Sequence, residues 1–187
     1  RHLELGLDRV GPVRAHDLEP VLARPGHLGP LAVHRDRLLR LIAPLRGRFL
    51  VHIDLHETTD TDESEFRPAL AARDGKPYEP DLIPDGFYLV DDTENPQPDF
   101  QRGIIEAVSK VTHIAPADEK GRIIGSDVVS PGVIHYAMQK LGLCAGITGA
   151  RYTTTTEVCP DSPRATPEQC NAGQVTATCA AIEFALR

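Results

Sequence analysis

The first regular pattern along the chain is a helical stripe of leucine and isoleucine that begins after His34. Gly47 ends this helical pattern. Residues 49–55 then form a mostly apolar run of strand length. A helix that leads into a buried strand is typical of a parallel or mixed sheet. The apolar face of the predicted helix consists of Leu38, Leu39, Leu41, Ile42 and Leu45.

Further elements alternate with polar stretches. Residues 56–98 are rich in Asp, Pro and Gly and predict a long excursion, with one short strand at residues 87–90. Helices are predicted over residues 99–113 and 132–141, and the β-branched residues 152–158 predict a strand. Together the elements predict an α/β domain with a mixed central sheet between helices. The inward side of the first of these helices is Phe100, Ile104, Ile105 and Val108.

The closing helix has the clearest start signal. Thr166 fits the N-cap, Pro167 the first helical position, and Gln169 completes a Thr-x-x-Gln capping box. The helix is predicted to run towards Leu186. One of its faces carries Val175, Cys179, Ile182 and Leu186.

The two ends of the chain differ in regularity. Residues 1–33 show no clean helical or strand period and are rich in Arg, His, Gly and Pro. We interpret them as an irregular segment that precedes a domain at residues 34–187. Because no aromatic residues are interleaved with these arginines, a nucleic-acid-binding arm is disfavoured.

Composition limits the possible partners. A length of 187 residues suggests one domain, and a formal charge of −7 argues against binding nucleic acid through its phosphates. No apolar run approaches the roughly 18 residues of a membrane span, so no membrane partner is expected. The four cysteines form no C-x-x-C pair. Reduced thiols in a cytoplasmic protein are therefore predicted.

Candidate chemistry lies at the ends of two predicted strands. His56 and Glu157 each stand at the end of a strand, at the edge of an α/β sheet where ligands bind. Asp54, two residues before His56, points to the same side and can accept from an imidazole N–H. Glu157 is a candidate general base. The alternative interpretation is a solvated histidine and a solvated glutamate at two strand ends.

A resemblance adds to this interpretation. The segment at residues 54–73, which begins Asp-Leu-His-Glu-Thr-Thr-Asp, resembles the third-ligand region of zinc metallocarboxypeptidases of the M14 type. More narrowly, it is similar to the branch near aspartoacylase and succinylglutamate desuccinylase. Glu157, Val158 and Pro160, followed by the closing helix, resemble the family's general-base strand and final helix. The likeness covers about residues 34–187.

The resemblance implies a zinc-carboxypeptidase-like fold that lacks its first strands, and one Zn²⁺ ion. His56 matches the third zinc ligand, and Glu157 matches the general base. A tyrosine often covers the substrate in this family. Tyr136 has roughly the expected spacing before Glu157, while Tyr88 and Tyr152 stay open as alternatives.

The chain also departs from the family pattern. The first two zinc ligands are expected as a His-x-x-Glu motif after an earlier strand. The stretch from His16 to Glu19 has this spacing but follows no apolar strand, and we interpret it as a chance match. Arg67 and Arg73 are interpreted as surface arginines rather than substrate ligands.

The leading functional hypothesis is a metallocarboxypeptidase that removes C-terminal amino acids from peptides. One alternative is an aspartoacylase-like deacylase of N-acyl amino acids. The other is an inactive fragment that lacks the first two zinc ligands.

Overall fold

A computed structural model describes residues 37–73, 75–78, 80 and 82–187 of the chain. The described strands form one six-stranded mixed sheet, in the order β1-β6-β2-β5-β4-β3. The predicted α/β class with a mixed central sheet is therefore confirmed. The segment at residues 1–33 and the His16–Glu19 motif lie outside the described residues. The strands are β1 (Val51–Glu57), β2 (Tyr88–Asp92), β3 (Arg122–Ile123), β4 (Ser126–Ser130), β5 (Val133–Tyr136) and β6 (Tyr152–Val158).

The pairing of the strands alternates in direction. β1 is parallel to β6, β6 is antiparallel to β2, and β2 is parallel to β5. β5, β4 and β3 continue as antiparallel neighbours. The first strand of the described residues therefore lies beside the last one, and their carboxyl ends reach the same edge of the sheet.

Two helices cover one face of the sheet. They are α2 (Pro98–Val108) and α4 (Pro167–Ala185), with the short helix α1 (Arg67–Arg73) preceding them in the chain. The core on this face is apolar, and Leu89, Ile104 and Ala177 in it are fully buried. Burial of this apolar surface provides most of the stability of the fold.

The opposite face carries a smaller apolar cluster. It contains Val90, Ile134 and Met138, the last of which begins the four-residue helix α3 (Met138–Leu141). Side chains alternate along a strand, so the residues of β1 on this face are His52, Asp54 and His56. This face of the sheet is polar near β1 and apolar near β5.

The predicted helix at residues 132–141 is wrong in its first half. Gly132 has a left-handed φ of 71°, which ends a turn, and β5 follows it directly. Val133 and Ile134 pair with Leu89 and Val90 of β2 and are buried. Only Met138–Leu141 is helical. Pairing with a distant strand overrides the local helical pattern.

The boundaries of other elements shift. Residues 37–42 are helical and continue into a 3-10 turn at Ala43–Leu45, and β1 begins two residues later than predicted. The helix predicted to residue 113 ends at Val108, because the chain must return to the backbone bridge between Phe87 and Ile114. Phe100, Ile104 and Val108 are buried as expected, and Ile105 is partly buried.

The excursion at residues 56–98 contains more regular structure than the sequence pattern predicts. Besides β2, it includes a π-helical turn at Asp62–Phe66 that leads directly into α1. Strands β3 and β4 were likewise not predicted. Each of these segments is too short to show a full apolar period.

The capping box of α4 is confirmed. The Thr166 hydroxyl accepts from the amide of Gln169, and the Gln169 side chain accepts from the amide of Thr166. The face with Val175, Cys179, Ile182 and Leu186, however, points to solvent. The buried side of α4 consists of Cys170, Gly173, Ala177 and Ala181. These small residues let the helix lie close to α2 and to the sheet.

Within the described residues, no helix has both the length and the apolar composition that a membrane crossing requires. All four cysteines are free thiols, of which Cys159 and Cys170 are buried.

Two isoleucine substitutions test the assignment of inner and outer faces. Ile104 in α2 is fully buried, whereas Ile182 in α4 is 47% exposed. Ile104→Ala is expected to lower the free energy of unfolding by about 2–5 kcal/mol, because it leaves a cavity in the core. Ile182→Ala is expected to change it by no more than about 0.5 kcal/mol. Urea denaturation measures both, and equal losses would contradict the assignment.

Candidate functional site

The site is built at the carboxyl ends of β1 and β6. His56 and Glu157 are register partners across these two parallel strands, and Asp54 is the partner of Thr155. Residues in register point to the same face, so His56, Asp54 and Glu157 share one face of the sheet. The two strand-end residues that the sequence singled out are therefore direct neighbours.

Asp54 orients His56. His56 Nε2 lies 2.9 Å from Asp54 Oδ2, as the alternation of strand side chains predicts, and the His56 side chain is 13% exposed. Burial by itself lowers the pKa of His56. The hydrogen bond and charge of Asp54, together with the charge of Glu157, outweigh it and raise the pKa above the ordinary value. The imidazole is thus held in one orientation by a carboxylate.

The surroundings of Glu157 raise the pKa of its carboxyl group. Desolvation in the partly buried pocket raises its pKa, opposed by the charge of His56 and by a hydrogen bond from Thr58, and the resulting value is about 7. The hydroxyl of Thr58 donates to Glu157 Oε2 at 3.1 Å. A carboxyl group with a pKa near neutrality can both accept and release a proton at physiological pH.

A pocket of about 150 Å³ opens between these residues and the β5 side of the sheet. Its polar end is formed by the groups just described, and its other end is apolar. A cavity of this size can accommodate a group as large as benzene. The lining residues are Asp54, His56, Val90, Tyr136, Leu143, Cys144, Thr155 and Glu157.

The three candidate tyrosines have different positions. Tyr136 lines the pocket, and its hydroxyl accepts from Ser126 Oγ at 3.0 Å. Tyr88 is buried beside Glu157, where its hydroxyl lies 2.9 Å from Thr58 Oγ1. Tyr152 lies on the helix-covered face, with its ring 5.6 Å from that of Phe184. Only Tyr136 among the three can meet a molecule in the pocket.

The pocket includes residues that the sequence did not single out. Val90 and Thr155 could have been found by extending the period-2 alternation of β2 and β6. Leu143 and Cys144 come from the segment after α3, which shows no local signal of proximity to His56. Thr58 follows β1 by one residue and was not distinguished from its polar neighbours.

The described residues alone do not make a complete zinc site. A catalytic zinc ion takes three protein ligands and an open position. In residues 37–187, apart from the gaps given above, no three His, Cys, Asp or Glu side chains converge as metal ligands. Among the described residues that line the pocket, His56 is the histidine, and its Nε2 is already paired with Asp54.

Comparison with known proteins gives a low level of similarity. No protein-family model and no curated protein sequence matches the chain. One similar solved structure is a "putative metallopeptidase" from Shewanella amazonensis SB2B, with a TM-score of 0.48, 16% identity, and coverage of 89% of this chain and 52% of that one. A second, also a "putative metallopeptidase", from Shewanella denitrificans OS217, has a TM-score of 0.47, 16% identity and coverage of 83% and 47%.

The chain thus spans about half the length of these two structures. Similarity at this level assigns no activity or substrate to the chain.

Glu157→Gln is expected to stabilise the metal-free protein above neutral pH. The pKa of Glu157 is about 7 in the folded state against an ordinary 4.5, so the folded state binds this proton more tightly than the unfolded state does. The contribution of Glu157 to the free energy of unfolding is therefore most favourable below the pKa of the unfolded state. It declines as pH rises through the pKa of the folded state, by about 3 kcal/mol at most. An amide does not titrate and avoids this loss.

Urea unfolding with a chelator present, at about pH 4.5 and about pH 8.5, measures the effect. The matched control is Glu183→Gln, since Glu183 is exposed on α4. If the two variants show the same pH dependence as the unchanged protein, the assignment of the raised pKa to Glu157 is wrong.

Proposed function

We propose that this chain carries one side of the active site of a zinc-dependent hydrolase that removes C-terminal amino acids from peptides. The observation that carries the proposal is the register of β1 and β6, which sets His56 beside Glu157 at the carboxyl ends of two parallel strands. In open α/β sheets this edge is where ligands bind. The quoted resemblance of residues 54–73 to the third-ligand region of zinc carboxypeptidases supports the same assignment.

Glu157 is the proposed general base. Its carboxylate would take a proton from the attacking water and pass it to the leaving amine. A general base works best with a pKa near the operating pH, and the pKa of Glu157 is raised to about 7. A freely solvated glutamate has a lower pKa and is therefore a weaker base for the first transfer, from water.

His56 is the proposed metal ligand. The Asp54 carboxylate at 2.9 Å holds the imidazole in place, in the way that ligating histidines are commonly held. Zinc, when bound, would polarise the scissile carbonyl. No group of three or more metal-ligating side chains converges among the described residues, so His56 would be one ligand of a larger set.

The pocket favours a small apolar or aromatic group on the substrate. Val90 and Leu143 line it together with Tyr136, the proposed substrate-contacting residue. No Lys or Arg belongs to the described lining. A free carboxylate on the substrate would therefore have to be recognised by groups other than these. Cleavage of N-acyl amino acids, the alternative substrate class, requires the same amide chemistry.

A second candidate is a chain that is not itself an active hydrolase. It is favoured by the lack of a three-ligand cluster among the described residues. A single histidine ligand binds zinc weakly, so such a chain would hold little metal after dialysis.

Zinc content and turnover separate the two candidates. Elemental analysis of the full chain after dialysis against zinc is expected to give about one ion per chain. Turnover is measured on hippuryl-type peptides and on N-acyl amino acids. Glu157→Gln is expected to lower kcat by at least about 100-fold while zinc is retained. His56→Ala is expected to lose the metal.

Matched controls keep these results interpretable. Glu183→Gln and His135→Ala change the same residue types away from the pocket, since His135 lies on the other face and contacts Asp91. A folded chain that holds no zinc and turns over neither substrate class would overturn the hydrolase proposal and leave the second candidate.

A further inference from the structure

We infer that Thr58 and Tyr88 form a chain of two hydroxyl groups that positions the Glu157 carboxylate for proton transfer. Thr58 Oγ1 lies 3.1 Å from Glu157 Oε2 and 2.9 Å from the Tyr88 hydroxyl. Both are positioning residues, because neither lines the pocket and each acts through Glu157. The inference rests on the proposed function, in which Glu157 is the general base.

The backbone fixes both hydroxyl groups beside Glu157. Thr58 follows β1 directly, and its amide donates to the carbonyl of Val158 at 2.8 Å. Tyr88 is the antiparallel register partner of Glu157 across β2 and β6. Glu157 therefore has His56 opposite it on one neighbouring strand and Tyr88 on the other. Thr58 and Tyr88 are 4% and 2% exposed, so water cannot readily replace either group.

Counting hydrogen atoms gives the direction of the chain. Thr58 has one hydroxyl hydrogen, and it donates this hydrogen to Glu157. The Tyr88 hydroxyl must then donate to Thr58 Oγ1. Burial, followed by the charge of Glu157, raises the pKa of Tyr88 well above its ordinary value, which keeps the phenol protonated as a donor.

The pair of hydroxyl groups gives the two carboxylate oxygens of Glu157 different surroundings. Oε2 is held by Thr58, while no described residue donates a hydrogen bond to Oε1. Oε1 is therefore the oxygen that can accept a proton from water. Without the Thr58 hydroxyl, the carboxylate would rotate about its terminal torsion, which is broad and roughly two-fold. Loss of orientation of this kind lowers the rate of proton transfer more than it weakens substrate binding.

Three variants test the role of the Thr58 and Tyr88 hydroxyl groups in turnover. Thr58→Val removes the hydroxyl and keeps the branched shape, Thr58→Ser keeps the hydroxyl, and Tyr88→Phe removes only the first donor. Thr58→Val is expected to lower kcat about 10- to 100-fold, with KM changed by less than about twofold. Thr58→Ser is expected to retain most of the activity. The kcat of Tyr88→Phe is expected to lie between those of Thr58→Val and Thr58→Ser.

Two control variants carry the same types of substitution at positions away from Glu157. Thr178→Val removes a hydroxyl that donates to the Gln174 carbonyl within α4, and Tyr152→Phe removes a phenol on the opposite face. Both are expected to leave kcat unchanged. If Thr58→Val retains full kcat, or if Thr58→Ser is as slow as Thr58→Val, the positioning role is wrong. Where Thr58→Val does not fold, the kcat of Tyr88→Phe decides in the same way.

A spectroscopic readout separates this inference from the proposed function. In metal-free protein labelled with ¹³C at glutamate carboxyl carbons, the Glu157 signal is the one that disappears in Glu157→Gln. At about pH 9, where the carboxyl group is ionised, Thr58→Val is expected to shift this signal and Thr58→Ser is not. If the protein is inactive and the signal still shifts, the hydrolase proposal is wrong and the positioning of Glu157 by the two hydroxyl groups is supported. An unshifted signal would overturn the hydroxyl chain whether or not the protein turns over substrate.

Discussion

The parallel pairing of β1 with β6 is the contact on which the pocket depends. It sets His56 opposite Glu157 and places Thr58 beside Val158 at the same edge. Side chains alternate with a period of exactly two, so a slip of one residue in this register would move His56 to the helix-covered face and separate it from Glu157. The contacts of Glu157 with His56 and Thr58 therefore depend on this one strand pairing.

The helix-covered face fixes the adjacent pairing of β6 with β2. Gln101 of α2 donates to Asp91 Oδ1 at 2.8 Å and accepts from Thr154 Oγ1 at 2.8 Å. Thr154 belongs to β6 and Asp91 to β2, and both are buried. These hydrogen bonds tie the two strands that carry Glu157 and Tyr88, in a region from which water is excluded. Buried polar groups that are fully paired in this way specify a single arrangement of the strands around them.

The pocket itself is a place where the fold gives up stability. Burial raises the pKa of Glu157 to about 7, against the opposing charge of His56, so above neutral pH a desolvated carboxylate is held there. Selection for stability alone would replace such a group with an apolar or amide side chain. Its presence at the edge where α/β sheets bind ligands is typical of a site under functional constraint.

The sequence by itself determined the features that local chemistry controls. The capping box at Thr166, the β-branched strand that ends in Glu157, and the apolar strand that ends near His56 all follow from short-range preferences. It also determined that both candidate residues lie at the ends of strands. The tertiary structure alone decided that residues 133–136 form a strand, because pairing with β2 overrides their helical pattern. It likewise brought Thr58 and Cys144 to the site, since strand pairing joins residues about a hundred positions apart and leaves no periodic trace in the sequence between them.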